Sequence, residues 1–126
     1  MVDFTGLILA LTVTVASVQD RDGARQLLEG TRGRFPRMRA IFADGGYAGQ
    51  LVGWVKRNCG WTLQTVLRPV GSVGFVLLPK RWVVERTFAW FGKYRRLSKD
   101  YETSIWMSET MIYAAMTHRM IRKFKD

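Results

Sequence analysis

Short strand-like apolar runs alternate with helix-like segments along almost all of this 126-residue chain. The strand-like runs are rich in β-branched residues, whereas the helix-like ones repeat apolar residues every three or four positions. The predicted order is strand, helix, strand, helix, strand, helix, helix, over residues 7–18, 23–29, 38–42, 47–57, 61–70, 80–92 and 105–124, with a loop at residues 71–79. This order predicts an α/β layer structure, and we expect a single domain over residues 1–126.

Local signals suggest how two of these elements begin or end. Asp22 precedes the first helical segment and is expected to cap it by accepting backbone N–H bonds. The strand at residues 38–42 runs into Asp44-Gly45-Gly46. That pattern is typical of a buried strand that delivers an acidic side chain into a glycine turn.

The charge balance narrows the classes of partner. Twenty Lys and Arg against ten Asp and Glu give a formal net charge of +10, which favours a polyanion such as nucleic acid or an anionic membrane surface. The longest apolar run, residues 4–18, is short for a bilayer span and follows an acidic residue, so a strand is favoured over a signal peptide. A lone Cys59 and a lone His118 exclude an internal disulfide and a four-ligand structural zinc site, and they favour a reducing, cytoplasmic setting.

Three acidic residues stand where a metal site would need them. Asp3 precedes the first predicted strand, Asp44 follows the second, and Glu85 lies in an apolar helix. Acids at strand ends can converge at the edge of an open sheet, and carboxylates are the ligands that Mg²⁺ and Mn²⁺ prefer. Two such ions can activate a nucleophile and stabilise the leaving oxygen in phosphodiester chemistry.

Each acid also has a structural interpretation. Glu85 has Trp82 and Phe88 at helical spacing, so a buried carboxylate there would need a partner, and Arg81 on the same face would supply an ion pair. Asp44 is a natural turn former before two glycines, and Asp3 is a candidate for a disordered terminus. From the residues alone the metal-binding and structural interpretations both stay open.

Longer motifs favour one of these interpretations. The chain resembles the DDE transposases of bacterial insertion sequences over almost its whole length, through the segments Val18-Gln19-Asp20-Arg21-Asp22-Gly23-Ala24, Ala43-Asp44-Gly45-Gly46-Tyr47-Ala48-Gly49, Lys80-Arg81-Trp82-Val83-Val84-Glu85-Arg86-Thr87-Phe88-Ala89-Trp90 and Tyr94-Arg95-Arg96-Leu97-Ser98-Lys99-Asp100-Tyr101-Glu102. At the N-terminus Val2-Asp3-Phe4-Thr5-Gly6-Leu7 is similar to the stretch that carries the family's first aspartate.

The resemblance implies a fold, an activity and a set of ligands. It implies a ribonuclease H-like α/β fold, with a mixed sheet flanked by helices, and it places two Mg²⁺ or Mn²⁺ ions on Asp3, Asp44 and Glu85. The implied activity is metal-dependent cleavage and strand transfer at the ends of insertion-sequence DNA, by a homo-oligomer associated with the bacterial nucleoid.

The start of the chain departs from the family pattern. Complete transposases of this kind carry a helical DNA-binding region and the opening strand of the sheet before this point. We therefore expect a downstream reading frame, which would act with an upstream-frame segment, or a truncated copy. Without the opening strand, Asp3 would be poorly anchored and the isolated chain weakly stable and inactive.

Basic residues surround Glu85 and are the expected DNA contacts. They are Arg81, Lys93, Arg95 and Arg96, and the aromatic Tyr94 is expected to contact DNA with them, in a stretch where basic groups can neutralise phosphates and aromatic faces can stack on bases. The alternative is an amphipathic helix with Trp82, Phe88 and Trp90 in the core and a solvated basic face. Two other functions stay open, a basic DNA-binding protein without catalysis and an inactive transposase remnant.

Overall fold

The computed structural model describes residues 1–74, 80–99 and 102–125. In chain order the elements are α1 (Asp20–Thr31), β1 (Ala40–Asp44), a 3₁₀ turn (Gly45–Tyr47), α2 (Gln50–Cys59), β2 (Thr62–Val66), α3 (Trp82–Phe91), a second 3₁₀ turn (Arg95–Leu97) and α4 (Ile105–Lys125). The mixed α/β character is confirmed, although the sheet of the described residues has only two strands. Residues 75–79 of the predicted loop lie outside the described residues.

The chain divides into two compact units. Unit 1 consists of Met1–Val15 and Val83–Asp126, and unit 2 is Ala16–Trp82. Unit 2 is a strand–helix–strand arrangement in which β1 and β2 pair in parallel, from Ala40 opposite Thr62 to Asp44 opposite Val66. Because parallel neighbours need a crossover connection, α2 joins the two strands and packs on β2, and α1 packs on α2.

The core of unit 2 lies between its helices and its sheet. Helical periodicity over residues 47–57 predicts one apolar face with Leu51, Val52 and Val55; Leu51 and Val55 are fully buried and Val52 is half-buried. Leu51 and Val55 pack in a core that also includes Leu28, Trp61 and Leu63. Helix α2 ends at Cys59 because Gly60 adopts the left-handed conformation, with a φ of 73°, that closes a helix C-terminus.

Unit 1 is built around α3 and the long helix α4. Its core consists of Ala10, Val83, Thr87, Ala115 and Met116. The predicted last helix, residues 105–124, is confirmed almost to the residue. No helix within the described residues is long and apolar enough to cross a membrane.

The predicted first strand is wrong. Residues 7–18 contain only one bridge residue, Ile8, which pairs with Val2 in an isolated antiparallel bridge. Further along, the backbone N–H groups of Leu11 and Val13 donate to the Tyr113 hydroxyl (3.3 Å) and to Oε1 of Glu109 (2.9 Å). Side chains of α4 therefore satisfy backbone groups that a neighbouring strand would otherwise pair.

Several predicted boundaries also needed correction. Helix α1 begins at Asp20 rather than after Asp22, and Gln19 precedes it without a side-chain cap, so both aspartates lie in the first turn, where they complement the helix dipole. Gly49 has a φ of 91°, which delays the start of α2 to Gln50. Lys80 has a φ of 66°, so α3 starts at Trp82. Strand β2 ends at Val66, where its pairing with β1 ends.

Candidate active site

Asp3 is held in a closed loop at the start of unit 1. Residues 2–8, called here the Asp3 loop, are closed by the bridge between Val2 and Ile8. Oδ1 of Asp3 accepts hydrogen bonds from the Thr5 N–H (2.9 Å), the Thr5 hydroxyl (2.7 Å) and the Leu7 N–H (2.9 Å). The expectation of a disordered or poorly anchored Asp3 is therefore wrong, because local hydrogen bonds fix the carboxylate without a strand.

The Asp3 loop packs against the helix that carries Glu85. The buried Thr87 hydroxyl donates to the Gly6 carbonyl (2.8 Å), with the Val83 carbonyl as an alternative acceptor at 3.1 Å. Gly6 has a φ of 86°, and a Cβ there would lie 2.9 Å from Thr87 Oγ1 and 3.0 Å from the Trp90 ring. Thr87, which was not singled out from the sequence, therefore docks the loop on α3 where only glycine fits.

Glu85 lies on an exposed face of α3. The buried face of this helix carries Val83 and Thr87, one turn apart, whereas Phe88 is 68% exposed and Trp82 is 42% exposed. The expectation that a buried Glu85 would need a partner is therefore wrong, since Glu85 is exposed to solvent. The ion pair with Arg81 stays a prediction.

Trp90 is covered by cations rather than open to a base. The guanidinium of Arg119 lies 3.4 Å from the ring centroid and that of Arg86 lies 5.1 Å away. Cation–π contacts of this kind stabilise packing between elements. The structural interpretation fits Trp90, whereas the exposed Phe88 does not fit a core role.

Asp44 stands at the carboxyl end of β1 and is exposed. Its Oδ1 accepts a hydrogen bond from the Gly46 N–H (2.9 Å), which caps the 3₁₀ turn Gly45–Tyr47. The turn-forming role predicted for Asp44 is confirmed. This role uses only Oδ1 of the Asp44 carboxylate. Among the described residues, every hydrogen bond that Asp3 or Asp44 accepts is accepted by Oδ1.

Asp20, which was not predicted as a site residue from the sequence, acts with Asp44 on one side chain, that of Tyr47. Burial raises the pKa of Tyr47, and the negative charges of Asp20 and Asp44 raise it further. The start of α1 and the 3₁₀ turn Gly45–Tyr47 also line one cavity. Its lining residues are Val18, Gln19, Asp20, Arg21 and Gly46. One sequence signal could have identified Asp20, because it lies in Val18-Gln19-Asp20-Arg21-Asp22-Gly23-Ala24, the first of the segments that resemble the DDE transposases.

The effect of the negative charge of Asp44 can be measured as a change in the pKa of Tyr47. We expect Asp44→Asn to lower the pKa of Tyr47, while burial and Asp20 keep it above its ordinary value of 10.0. Because the folded state favours the neutral phenol, the stabilising contribution of Tyr47 is complete below pH 10.0 and is lost as the pH rises toward the folded-state pKa. An NMR titration of the tyrosine Cζ resonances measures this shift.

Asp22→Asn is the matched control, because it removes the same charge from the first turn of α1 and Asp22 is not among the charges that act on Tyr47. Equal shifts of the Tyr47 pKa in the two variants would contradict a specific electrostatic effect of Asp44 on Tyr47.

Four of the five predicted DNA contacts, Lys93, Tyr94, Arg95 and Arg96, follow α3 in unit 1, whereas Arg81 is exposed, precedes α3 and belongs to unit 2. Lys93 and Arg95 are exposed, and Arg96 pairs with Glu102 at 2.5 Å. Tyr94 is half-buried, and its hydroxyl lies 2.9 Å from Nδ1 of His118, with the two rings edge to face. Lys93, Arg95 and Arg96 are thus all exposed cations, of which Arg96 is in an ion pair, whereas the hydroxyl of Tyr94 already has a partner.

Residues 1–120 match the family described as transposase DDE domain. The chain belongs to the transposase DDE domain family. DNA transposition is therefore the general process in which this DDE domain takes part. Neither the curated proteins nor the solved structures gave a match.

DDE domains generally use divalent metals, so the ligand set of this DDE domain bears directly on its chemistry. Asp3, Asp44 and Glu85 offer oxygen donors, which fit a hard divalent cation. Asp3 and Glu85 belong to unit 1 and Asp44 to unit 2. Over residues 1–74, 80–99 and 102–125 no three His, Cys, Asp or Glu side chains form a group that could hold a metal ion. The donor chemistry of these three predicted residues fits a divalent cation.

Proposed function

We propose that this chain is the catalytic part of an insertion-sequence transposase that cleaves the element's DNA ends and joins them to target DNA. In this proposal Asp3, Asp44 and Glu85 hold two Mg²⁺ or Mn²⁺ ions. The observation that carries it is the docking of the Asp3 loop on α3, through Thr87 and Gly6, within a chain that matches the DDE family over residues 1–120.

The proposed fold is ribonuclease H-like. The parallel pair β1–β2, its crossover helix α2 and the acidic residue at the carboxyl end of β1 support it. Ligands in open α/β sheets bind outside the carboxyl ends of the strands, which is where Asp44 stands. We infer that the two strands belong to a larger mixed sheet in the active protein.

In this proposal the chain's own carboxylates would hold the metal ions. When bound, the metal ions activate the attacking water or 3′-hydroxyl and stabilise the leaving oxygen. Asp3 and Asp44 would present Oδ2, since backbone N–H groups hold Oδ1 of each carboxylate and so fix its orientation. Glu85 would contribute its carboxylate from the exposed face of α3.

The DNA contacts proposed for Arg81, Lys93, Tyr94, Arg95 and Arg96 are mainly with phosphates. Lys93 and Arg95 are exposed cations on the chain that follows Glu85, and phosphate contacts position DNA without reading its sequence. An oligomeric active complex and an upstream-frame segment as partner remain predictions of the same proposal.

A transposition assay in cells tests this function. The gene is supplied in trans to a marked element with its own DNA ends, and new junctions are sequenced. We expect new junctions joined at the element's ends only when the chain, with its upstream-frame partner, is expressed. Junctions no more frequent than with an empty vector would contradict the proposal, and would favour a remnant or a DNA-binding protein without catalysis.

A further inference from the structure

A second strongly basic surface lies in unit 2, outside the predicted DNA contacts. It is called here the basic edge, and its six exposed members are Arg32, Arg34, Arg37, Arg39, Lys56 and Arg57. Four of them fall within eight residues between α1 and β1, and the other two lie in the last turn of α2. The basic edge therefore stands where the two strands begin.

Unit 2 carries most of the chain's positive charge. Residues 16–82 contain eleven Lys and Arg against four Asp and Glu, a net +7 of the total +10. Three of the four acids, Asp20, Asp22 and Asp44, lie in the first turn of α1 or at the carboxyl end of β1. The charge of unit 2 is therefore polarised, with acids around Asp44 and bases at the opposite end of the strands.

Backbone hydrogen bonds fix the shape of the basic edge. The Arg34 N–H donates to the Thr31 carbonyl (3.0 Å), which continues the end of α1 into a turn. The Arg39 carbonyl accepts from the Thr62 N–H (2.9 Å), which ties the segment to the start of β2. Arg32 also acts electrostatically on the Cys59 thiol at the end of α2. The arginines are therefore presented from an ordered backbone, which lowers the entropy cost of binding.

A solvated helix end does not account for this cluster. Lys56 and Arg57 complement the dipole of α2, but the four arginines lie beyond the end of α1. Among the described residues none of these four forms an ion pair with a carboxylate. Four like charges placed close together repel one another, so a polyanion that neutralises them is favoured.

We propose that the basic edge binds the phosphates of duplex DNA, separately from the metal site. Arginine guanidinium groups match phosphate oxygens with paired hydrogen bonds. A five-residue strand spans roughly 13 Å, so a phosphate at Arg39 lies a full strand length from Asp44. The basic edge would hold DNA away from the reacting bond, and this inference does not depend on the metal chemistry proposed above.

Duplex DNA fits this surface better than an anionic membrane does. Interfacial membrane binding needs apolar side chains that insert between lipids. Phe35 and Met38, the large apolar residues between the arginines, are half-buried rather than fully exposed. Arginines without an exposed apolar anchor are typical of a phosphate-backbone contact.

Salt-dependent DNA binding tests the inference. In EDTA, affinity for a 30-base-pair duplex is measured by fluorescence anisotropy across a KCl series, for the wild-type chain and for Arg34→Gln/Arg37→Gln/Arg39→Gln. The slope of log affinity against log salt should fall in magnitude by about 2 to 3, because each lost phosphate contact removes about 0.9. The corresponding triple Lys variant should keep most of the wild-type slope.

The matched control is Arg122→Gln/Lys123→Gln/Lys125→Gln, which removes the same charge from the exposed end of α4. It should change the slope by less than 1. An equal fall in both triple variants would show that net charge alone matters, and an unchanged slope in the first would show that the basic edge makes no contact; either overturns the inference. Loss of binding to phosphatidylserine vesicles with DNA binding intact would also overturn it, in favour of a membrane surface.

The folding of each variant is checked by circular dichroism and urea unfolding, whose midpoints should match the wild type because the substituted side chains are exposed. Because the assay runs in EDTA, its result is independent of cleavage. A chain that fails to transpose would still show the effect if the basic edge binds DNA.

Discussion

Glu85→Gln should lower the transposition frequency by at least about 1,000-fold, equivalent to about 4 kcal/mol of lost transition-state stabilisation. The amide keeps the size of the side chain but removes the negative charge that a divalent cation requires. Glu85 is exposed on α3, so the substitution should not destabilise the fold. DNA affinity and its salt dependence should stay close to wild type, because the phosphate contacts are made by basic residues.

Glu29→Gln is a matched control, since it makes the same change at an exposed position of α1. It should leave the transposition frequency within about twofold of wild type, as expected of a surface substitution of small energetic effect. A Glu85→Gln chain that transposes at the wild-type rate would contradict the assignment of Glu85 as a ligand. Loss of DNA binding in that variant would point instead to a structural role.

Gly6→Ala should destabilise unit 1 by about 3 kcal/mol. The substitution forces alanine into a φ of 86°, and its Cβ would lie 2.9 Å from Thr87 Oγ1 and 3.0 Å from Trp90. Thr87 is buried and hydrogen-bonded, and Trp90 is held by Arg119, so neither side chain can move aside easily. Urea unfolding measures the change, and transposition should fall with it because the Asp3 loop would leave α3.

Gly33→Ala separates backbone strain from the steric clash. Gly33 has a similar φ of 79°, but no atom lies within 4 Å of an added Cβ. Its cost should be about 1 kcal/mol, from the left-handed backbone alone. If Gly6→Ala cost no more than Gly33→Ala, the close packing of the Asp3 loop on α3 would be wrong.

Elements with strong local signals could be predicted from the sequence. The buried face of α2, with Leu51 and Val55 one turn apart, and the full length of α4 follow from helical periodicity. Strand β1 and the turn role of Asp44 follow from an apolar run that ends in an acid and two glycines. Here each segment's own residues decide its structure.

The failures arise where distant residues decide the structure. Residues 11–13 have a strand-like sequence. The backbone N–H groups of Leu11 and Val13, however, donate hydrogen bonds to side chains about 100 positions away, those of Tyr113 and Glu109. The buried face of α3 is set by its contact with Gly6, whose carbonyl accepts a hydrogen bond from the Thr87 hydroxyl. Periodicity within α3 favoured a core position for its large aromatic residues, whereas Val83 and Thr87 are the buried residues.

The site was predictable in part for the same reason. Asp3, Asp44 and Glu85 stay predictions that rest on motif resemblance, whereas local chemistry predicted the turn at Asp44. The placement of Asp20 beside Tyr47 and the contact of Tyr94 with His118 join separate elements of one unit. A single sequence does not reveal contacts of this kind, because they leave no pattern in the residues next to either partner along the chain.

Iron-directed cleavage of the polypeptide tests the proposed metal site most directly. Fe²⁺ replaces Mg²⁺, and after hydrogen peroxide and ascorbate are added, the bound Fe²⁺ reduces the peroxide to hydroxyl radicals that cut the chain near the metal ligands. We predict cuts within a few residues of Asp3, Asp44 and Glu85 that excess Mg²⁺ suppresses and that Glu85→Gln abolishes. Cuts that persist unchanged in Glu85→Gln, or that cluster around other acids such as Glu109, would contradict the assignment of these three carboxylates as the metal ligands.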